Sequence, residues 1–298
     1  MGLVGRKSSI LRNVLGVLGI VGNNRESTEP AAKVTDSAMF DEYIDSMPCA
    51  QNAVDLVTGW NHALPSSVGA IAGPTILYSD VRIEWCIEQF GDVAGRRILE
   101  LGPLEGSHTY MLHQHAPALI DAIEANKLAF MRCLIAKELL DLSRAHFMLG
   151  DFQKWLEFSG QRYDLIIASG VLYHMKDPVR LLELASECSD AVYLWTHYFS
   201  DLAMPLGDPR RGAFTEEIDI RAFRGLEVRL HRRSYHGRWR DKTFCGGTHD
   251  DHSWMEKEQI LELLGLLGFE DVRVTHDNIE GPNEPSLSIF ARRKGTIV

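Results

Sequence analysis

No C-x-x-C pair occurs among the five cysteines, Cys49, Cys86, Cys133, Cys188 and Cys245. Scattered and odd in number, they argue against a disulfide framework and a cysteine zinc site, and they point to reduced thiols in a cytoplasmic protein. The chain also lacks a run of about 20 apolar residues, the length a membrane-spanning helix needs. Ile10 to Val21 is apolar but short, and Arg12 and Asn13 interrupt it. Arg6 and Lys7 precede that run as they would in a signal peptide, but no A-x-A site follows, and position 6 is Arg, so the myristoylation pattern fails. Basic residues are in deficit, and the net charge of −10 removes any bulk attraction to DNA or RNA, leaving only a local patch as a route to nucleic acid. Repeats and low-complexity tracts are missing as well.

What is present reads as a globular chain. Its 298 residues suffice for one large domain or one domain with extensions. Leu11, Val14, Leu15 and Leu18 fall on one helical face, which predicts an amphipathic helix. A polar linker from Asn23 to Val34 follows. Asp36 to Met47 then places Met39, Phe40, Tyr43, Ile44 and Met47 on one face, and Pro48 stops that helix. Gln51 to Pro65 is irregular and aromatic. Asp80 to Phe90 predicts a helix with Val81, Trp85 and Phe90 inward. Residues 1–94 are thus expected to form an N-terminal helical extension and linker.

From residue 95 to 298, short apolar runs alternate with helical patterns. Strands are expected at Ile98 to Leu101, Leu119 to Glu124, Ala145 to Leu149, Asp164 to Ala168 and Ala191 to Trp195. Helices are expected from Ser107, over Asn126 to Leu142 and over Pro178 to Cys188. In the second of these Leu128, Met131, Leu134, Ile135, Leu139 and Leu142 keep a 3.6-residue period. Residues 199–252 break the rhythm as a lid-like insertion, with a hairpin expected around Leu226 to Tyr235. Ser253 and Glu256 suggest a capping box for a helix ending near Gly268. Strands at Asp271 to Thr275 and Leu287 to Ala291 close the chain. Such alternation implies an α/β fold, a doubly wound, mostly parallel sheet with helices on both faces.

Four features stand at the carboxyl ends of successive strands, where open α/β sheets bind ligands. Glu100, Gly102, Pro103 and Gly106 follow the first, and Gly102 lets the backbone turn sharply beside a ligand. Position 104 is Leu, so G-x-G-x-x-G fails and a dinucleotide pyrophosphate is not the ligand the turn suits. S-adenosylmethionine has no phosphate; its ammonium and sulfonium suit a preceding acid such as Glu100. Glu124 ends the second strand, where a carboxylate can accept both ribose hydroxyls. Asp151 and Phe152 follow the third, for an adenine amino group and ring. Ser169 and Gly170 follow the fourth and lead to Tyr173 and His174. His174 and Tyr173 are candidates for a base or orienting group, with His197, at the end of the fifth strand, facing substrate.

These residues resemble those of the class I S-adenosylmethionine-dependent methyltransferases over about Gly95 to Trp195. The resemblance implies a seven-stranded Rossmann-like sheet whose last strand is antiparallel, with Glu100, Gly102, Gly106, Glu124 and Asp151 at cofactor positions. Gly170-Val171-Leu172-Tyr173-His174 with Asp177-Pro178, and Asp80 to Trp85 ahead of the first strand, are similar to the branch containing the tRNA wobble-uridine (carboxy)methyltransferases. Members of that branch carry an arginine after the Tyr-His pair that helps hold a carboxylated cofactor. Met175 stands there in this chain, which favours ordinary methyl transfer.

Within the insertion, His231, His236, Cys245, His249, Asp251 and His252 match no metal-ligand spacing, so no metal is expected. Arg232, Arg233, Arg238, Arg240 and Lys242, interleaved with Tyr235, Trp239 and Phe244, suit either an RNA strand or a solvated hairpin face. Three readings result: a methyltransferase for a small-molecule acceptor, a tRNA-modifying methyl or carboxymethyl transferase, and a catalytically silent cofactor-binding protein. The acidic balance and Met175 favour the first. DNA and integral membrane association are not expected, and the oligomeric state is not legible.

Overall fold

A computed structural model describes residues 43–238, 241 and 244–295. It divides into two compact units, Met1–Ile44 and Asp45–Val298, and the first lies almost wholly outside the described residues. The helix expected over Ile10 to Val21 lies outside them too. So does most of Asp36 to Met47, whose described end, residues 43–47, is not helical.

Within the second unit, five strands come first: β1 (Arg97–Leu101), β2 (Leu119–Glu124), β3 (Ala145–Leu149), β4 (Leu165–Ser169) and β5 (Ala191–His197). The insertion contributes β6 (Phe214–Phe223), β7 (Leu226–Ser234) and β8 (Asp251–Trp254), which form a separate antiparallel sheet. The chain ends on β9 (Asp271–Asn278) and β10 (Ser286–Arg292). The main sheet has seven strands in the order β3-β2-β1-β4-β5-β10-β9. Its first five strands run parallel, and β10 pairs antiparallel with both β5 and β9. The order reverses between β1 and β4, which opens a crevice at their carboxyl ends.

Side chains alternate between faces along a strand. Leu99, Leu101, Ile166, Ala168, Val192 and Leu194 share a core with α6 (Pro178–Cys188) and α7 (Lys257–Leu266). Ile98, Ile120, Leu165, Ile167 and Tyr193 share the other with α2 (Val81–Phe90) and α3 (Ser107–His113). Stepping by two from that second set arrives at Glu100, Glu124, Ser169, Trp195 and His197. All five therefore reach the crevice from one face of the sheet. The expected break at residues 94–95 does not coincide with a break in packing, since Ile83, Cys86, Ile87 and Phe90 of α2 join the same core as Ile98.

Several expectations need correction. Val81 is exposed, because it opens α2 on its solvent side. In α4 (Lys127–Leu139) the buried stripe is Ala129, Arg132, Cys133 and Ala136 rather than the large apolar set. Met131 and Leu134 are exposed, since the helix lies close to its neighbours through small residues. Gln51 to Pro65 holds most of a short helix, α1 (Ala50–Asp55). The hairpin is longer and earlier than expected: β6 and β7 turn at Arg224-Gly225, both left-handed, as a tight two-residue hairpin needs. Ser253 caps no helix. It lies in β8, which pairs with β7, while Glu256 turns to His231 and Arg229.

Candidate active site

The glycine turn is held in a left-handed path. Gly102, Leu104 and Gly106 all have positive φ, +64°, +55° and +74°. Gly102 and Gly106 adopt this without a Cβ penalty, whereas Leu104 bears that penalty in the place of a glycine. Hydrogen bonds compensate: Leu104 N–H donates to Glu124 Oε2 at 3.0 Å, and Asn126 N–H donates to Oε1 at 2.7 Å. Glu124 thus links the ends of β1 and β2. Glu100, enclosed beneath the turn, accepts from Thr109 Oγ1 of α3. Burial pushes both carboxyls above the usual range, and each keeps accepting capacity.

Glu105 is a residue that sequence reading missed. It is 0% exposed and accepts from the Asn61 and His62 backbone N–H groups at 2.8 and 2.7 Å and from Arg132 Nη1 at 3.2 Å. Arg132 also donates to the Thr58 carbonyl. The turn is thereby pinned to α4 and to the segment ahead of α2. Gly73 is required in that segment, because a Cβ there would stand 2.2 Å from the Asn61 carbonyl carbon. Asp80 is enclosed between Arg82 and His108. Burial acts to raise its carboxyl, but hydrogen bonds from His108, at 3.0 Å, and from Arg82 outweigh that and hold it well below the usual range.

At the far end of the crevice, Asp151 is exposed and caps α5 (Phe152–Phe158) by accepting from Gln153 N–H at 2.9 Å. Phe152 is half-buried beside it. Pro103 is buried in the glycine turn. Ser169 ends β4, and Gly170, at φ +79°, takes the chain out beneath Tyr173. A Cβ on Gly170 would stand 3.6 Å from both Tyr173 Oη and Trp195.

Tyr173 and His174 lie in a 3-10 turn (Leu172–His174) after β4. The Tyr173 ring touches His174, His197, Trp195 and Trp254, with centroids 4.0 to 6.1 Å away. Trp254 comes from the inserted sheet and stacks on His197 at 5.1 Å with 7° between planes. Two contacts fasten that sheet here: Ser253 N–H donates to the Met175 carbonyl, and Lys176 pairs with Asp251. Tyr235 and Gly247 lie over His174.

The hydrogen bonds give His197 and His252 the same tautomer and fix the ring of His174. Tyr235 Oη accepts from Gly247 N–H at 3.1 Å and also meets His174 Nδ1, which ties the His174 ring to the loop above it. His197 Nδ1 donates to the Pro285 carbonyl at 3.3 Å, leaving Nε2 a bare acceptor. His252 Nδ1 donates to the Asp250 carbonyl at 3.1 Å, again leaving Nε2 bare. Burial keeps all three neutral at pH 7, His197 and His252 being pushed down to about 4 and His174 well below its ordinary value.

The remaining residues of the insertion do not converge. Among the described residues no group of three or more His, Cys, Asp or Glu is arranged to hold a metal ion. His231 pairs with Glu256 and stacks on Phe199. Arg232 pairs with Glu217 and Asp219 on the outer face. Trp239, Arg240 and Lys242 lie outside the described residues. No helix among the described residues is long and apolar enough to cross a membrane.

Comparison with known proteins agrees with this geometry. Residues 92–202 match a family described as a methyltransferase domain. The chain is 27% identical over 108 residues to a tRNA U34 carboxymethyltransferase of Idiomarina loihiensis, a stretch that is 35% of this chain and 33% of that protein. It is 25% identical over 104 residues to one of Colwellia psychrerythraea, covering 35% and 32%. The matched stretch therefore spans about a third of the length of these curated relatives. Among solved structures, the N-terminal domain of EvdMO1, crystallised in the presence of SAH and D-fucose, superimposes with a TM-score of 0.61 at 21% identity, covering 82% of this chain and 95% of that one. That likeness is one of fold, the mostly parallel seven-stranded sheet described above. Over residues 92–202, then, the chain is similar to a methyltransferase domain, and its sheet has the matching fold.

Proposed function

We propose that the chain transfers a methyl group from S-adenosylmethionine to a small-molecule acceptor. The observation that carries the acceptor class is the fate of the insertion's arginines. On the outer face Arg232 is matched by Glu217 and Asp219 and Arg221 by Asp177, and on the opposite face Arg229 is matched by Glu256, so these arginines form no cationic track for a nucleic-acid backbone. The inner face instead roofs the ring cluster around Tyr173. The neighbour crystallised with SAH and D-fucose supports a small ligand in this fold.

The residues fit the cofactor. Gly102, Pro103 and Gly106 offer bare backbone and no phosphate cradle, while Glu100 and Glu124 offer acceptors to an ammonium and a ribose diol. Asp151 and Phe152 stand where an adenine would lie, and Ser169, Gly170 and Tyr173 line the approach to the reacting end. S-adenosylmethionine supplies an electrophilic methyl group on a sulfonium. The chain aligns the acceptor with it, excludes water beneath the inserted sheet, and moves one proton. His197, with Nε2 bare and its ring fixed by Pro285 and Trp254, takes the acceptor's proton. His174, its ring held by Tyr235, orients the acceptor through Nε2, and Tyr173 forms the wall between them. Free thiols at all five cysteines support a reducing, cytoplasmic compartment for this chemistry.

The test is calorimetry with S-adenosylhomocysteine, followed by isotopic methyl transfer into small-molecule extracts and into bulk tRNA. Glu124→Ala should weaken the nucleoside by about tenfold or more, because charged hydrogen bonds are lost. Tighter binding of NAD, or unchanged affinity in the variant, would overturn the cofactor assignment. The tRNA U34 carboxymethyltransferase relatives motivate the second reading. Label entering tRNA, with binding that weakens steeply as salt rises, would establish it in place of the first.

A further inference from the structure

On the inner face of the inserted sheet, Arg233 lies opposite His252 and His231 opposite Trp254. The period-two alternation of strands puts Arg233, His252 and Trp254 on one side, away from Arg232. Arg232 is doubly paired. Arg233 has no carboxylate partner among the described residues, and its Nε is buried without a hydrogen-bond acceptor. Its guanidinium lies over the Trp254 ring at 4.4 Å and near Phe214 at 5.4 Å. Trp254, 3% exposed, has its Nε1–H without a partner, and His252, 1% exposed, has Nε2 without one.

A half-buried guanidinium with no carboxylate is unfavourable, and each orphaned polar atom adds to the cost. Cation–π contact with Trp254 offsets a part of it but gives Nε–H no acceptor. Among the described residues these two neighbouring donors on one face of β7 and β8 have no acceptor. The site adjoins the reacting centre, because Trp254 stacks on His197 and touches Tyr173, while His252 stacks on Tyr235, the partner of His174.

We infer that the acceptor is a small acid whose carboxylate or phosphate is held by the Arg233 guanidinium and Trp254 Nε1–H, beside His252. The planar guanidinium fork matches either anion, and the aromatic surround suits a compact, partly apolar body. This rests on the methyltransferase reading for its meaning, but the anion site is measurable without it.

The experiment titrates benzoate, phenyl phosphate and the neutral benzamide into full-length protein, with and without saturating S-adenosylhomocysteine, and follows tryptophan fluorescence and heat. One of the two acids should bind about tenfold or more tightly than benzamide, as expected for a charge-assisted contact. Arg233→Met should erase that preference while leaving nucleoside affinity unchanged. Arg233→Lys and Trp254→Phe should narrow it, and these decide the matter if Arg233→Met fails to fold. Absence of binding by both acids, equal binding of benzamide, or a preference that survives the substitutions would overturn the proposal. Failure of the wild type to bind S-adenosylhomocysteine would sink the methyltransferase reading instead, and the acid preference would still be read on unloaded protein.

Discussion

Around the glycine turn every carboxylate already has partners: Glu124 holds two backbone N–H groups, Glu100 a threonine hydroxyl, Glu105 two N–H groups and an arginine. Across β5, on the inserted sheet, the polarity is reversed and the partners are missing, with Arg233, Trp254 and His252 all carrying unused atoms. A preformed half keeps its shape without a ligand. An unpaired half is stabilised by one. The contrast fits the two proposed roles, cofactor binding at the glycine turn and acceptor binding beneath the inserted sheet.

The contrast can be broken most severely at Glu105. Glu105→Ala leaves Arg132 buried without its charge partner, a loss of about 3–5 kcal/mol in urea unfolding. Loss of S-adenosylhomocysteine binding should accompany it. Arg233→Met, in the unpaired half, should leave the unfolding midpoint of the unliganded protein unchanged or raised, because an uncompensated charge is removed. A large destabilisation there would show that Arg233 is structurally satisfied.

Acid should act next. His62, His197 and His252 are each pushed by burial to about 4 in the folded chain. The unfolded chain takes up those protons first, near the ordinary value of about 6.5, so stability is present above that pH and is lost as pH falls toward about 4. Thermal unfolding across this window checks the sign. His252→Gln should flatten the slope, and an unchanged slope would mean that His252 is not the neutral buried group described.

Gly102→Ala places a Cβ at φ +64° and 3.4 Å from Val171 Cγ2. It should cost roughly 1–2 kcal/mol of stability, and nucleoside binding should suffer with it. Arg232→Ala should do least. Its solvent-screened pairs with Glu217 and Asp219 contribute little to stability, and acid binding at Arg233 should not change.

How far the chain could be read in advance depended on the range of the forces involved. The bounds of β2, β3 and α6 fell where expected, because apolar period, Pro178 and the Asp177 cap are local signals. The capping box at Ser253 and the stripe on α4 did not, because cross-strand pairing with β7 and close contact through small residues outweighed local propensity. The turn at Arg224-Gly225 carried no Asn-Gly or Asp-Gly signature, so the hairpin was expected too late.

Taken alone, the sequence determined the alternating strands and helices, the glycine turn without a pyrophosphate pattern, and the acids at the strand ends. Each is encoded within a few residues by period, punctuation and backbone freedom. Only tertiary structure decided that Glu105 meets Asn61 and His62 across more than 40 residues. It alone set Nδ1 as the protonated nitrogen of His197 and His252. And it alone separated Arg232, on the outer face with two carboxylates, from Arg233, on the inner face with none. Adjacent in sequence, the two point to opposite sides of one strand, and which side is covered is fixed by what the strand packs against.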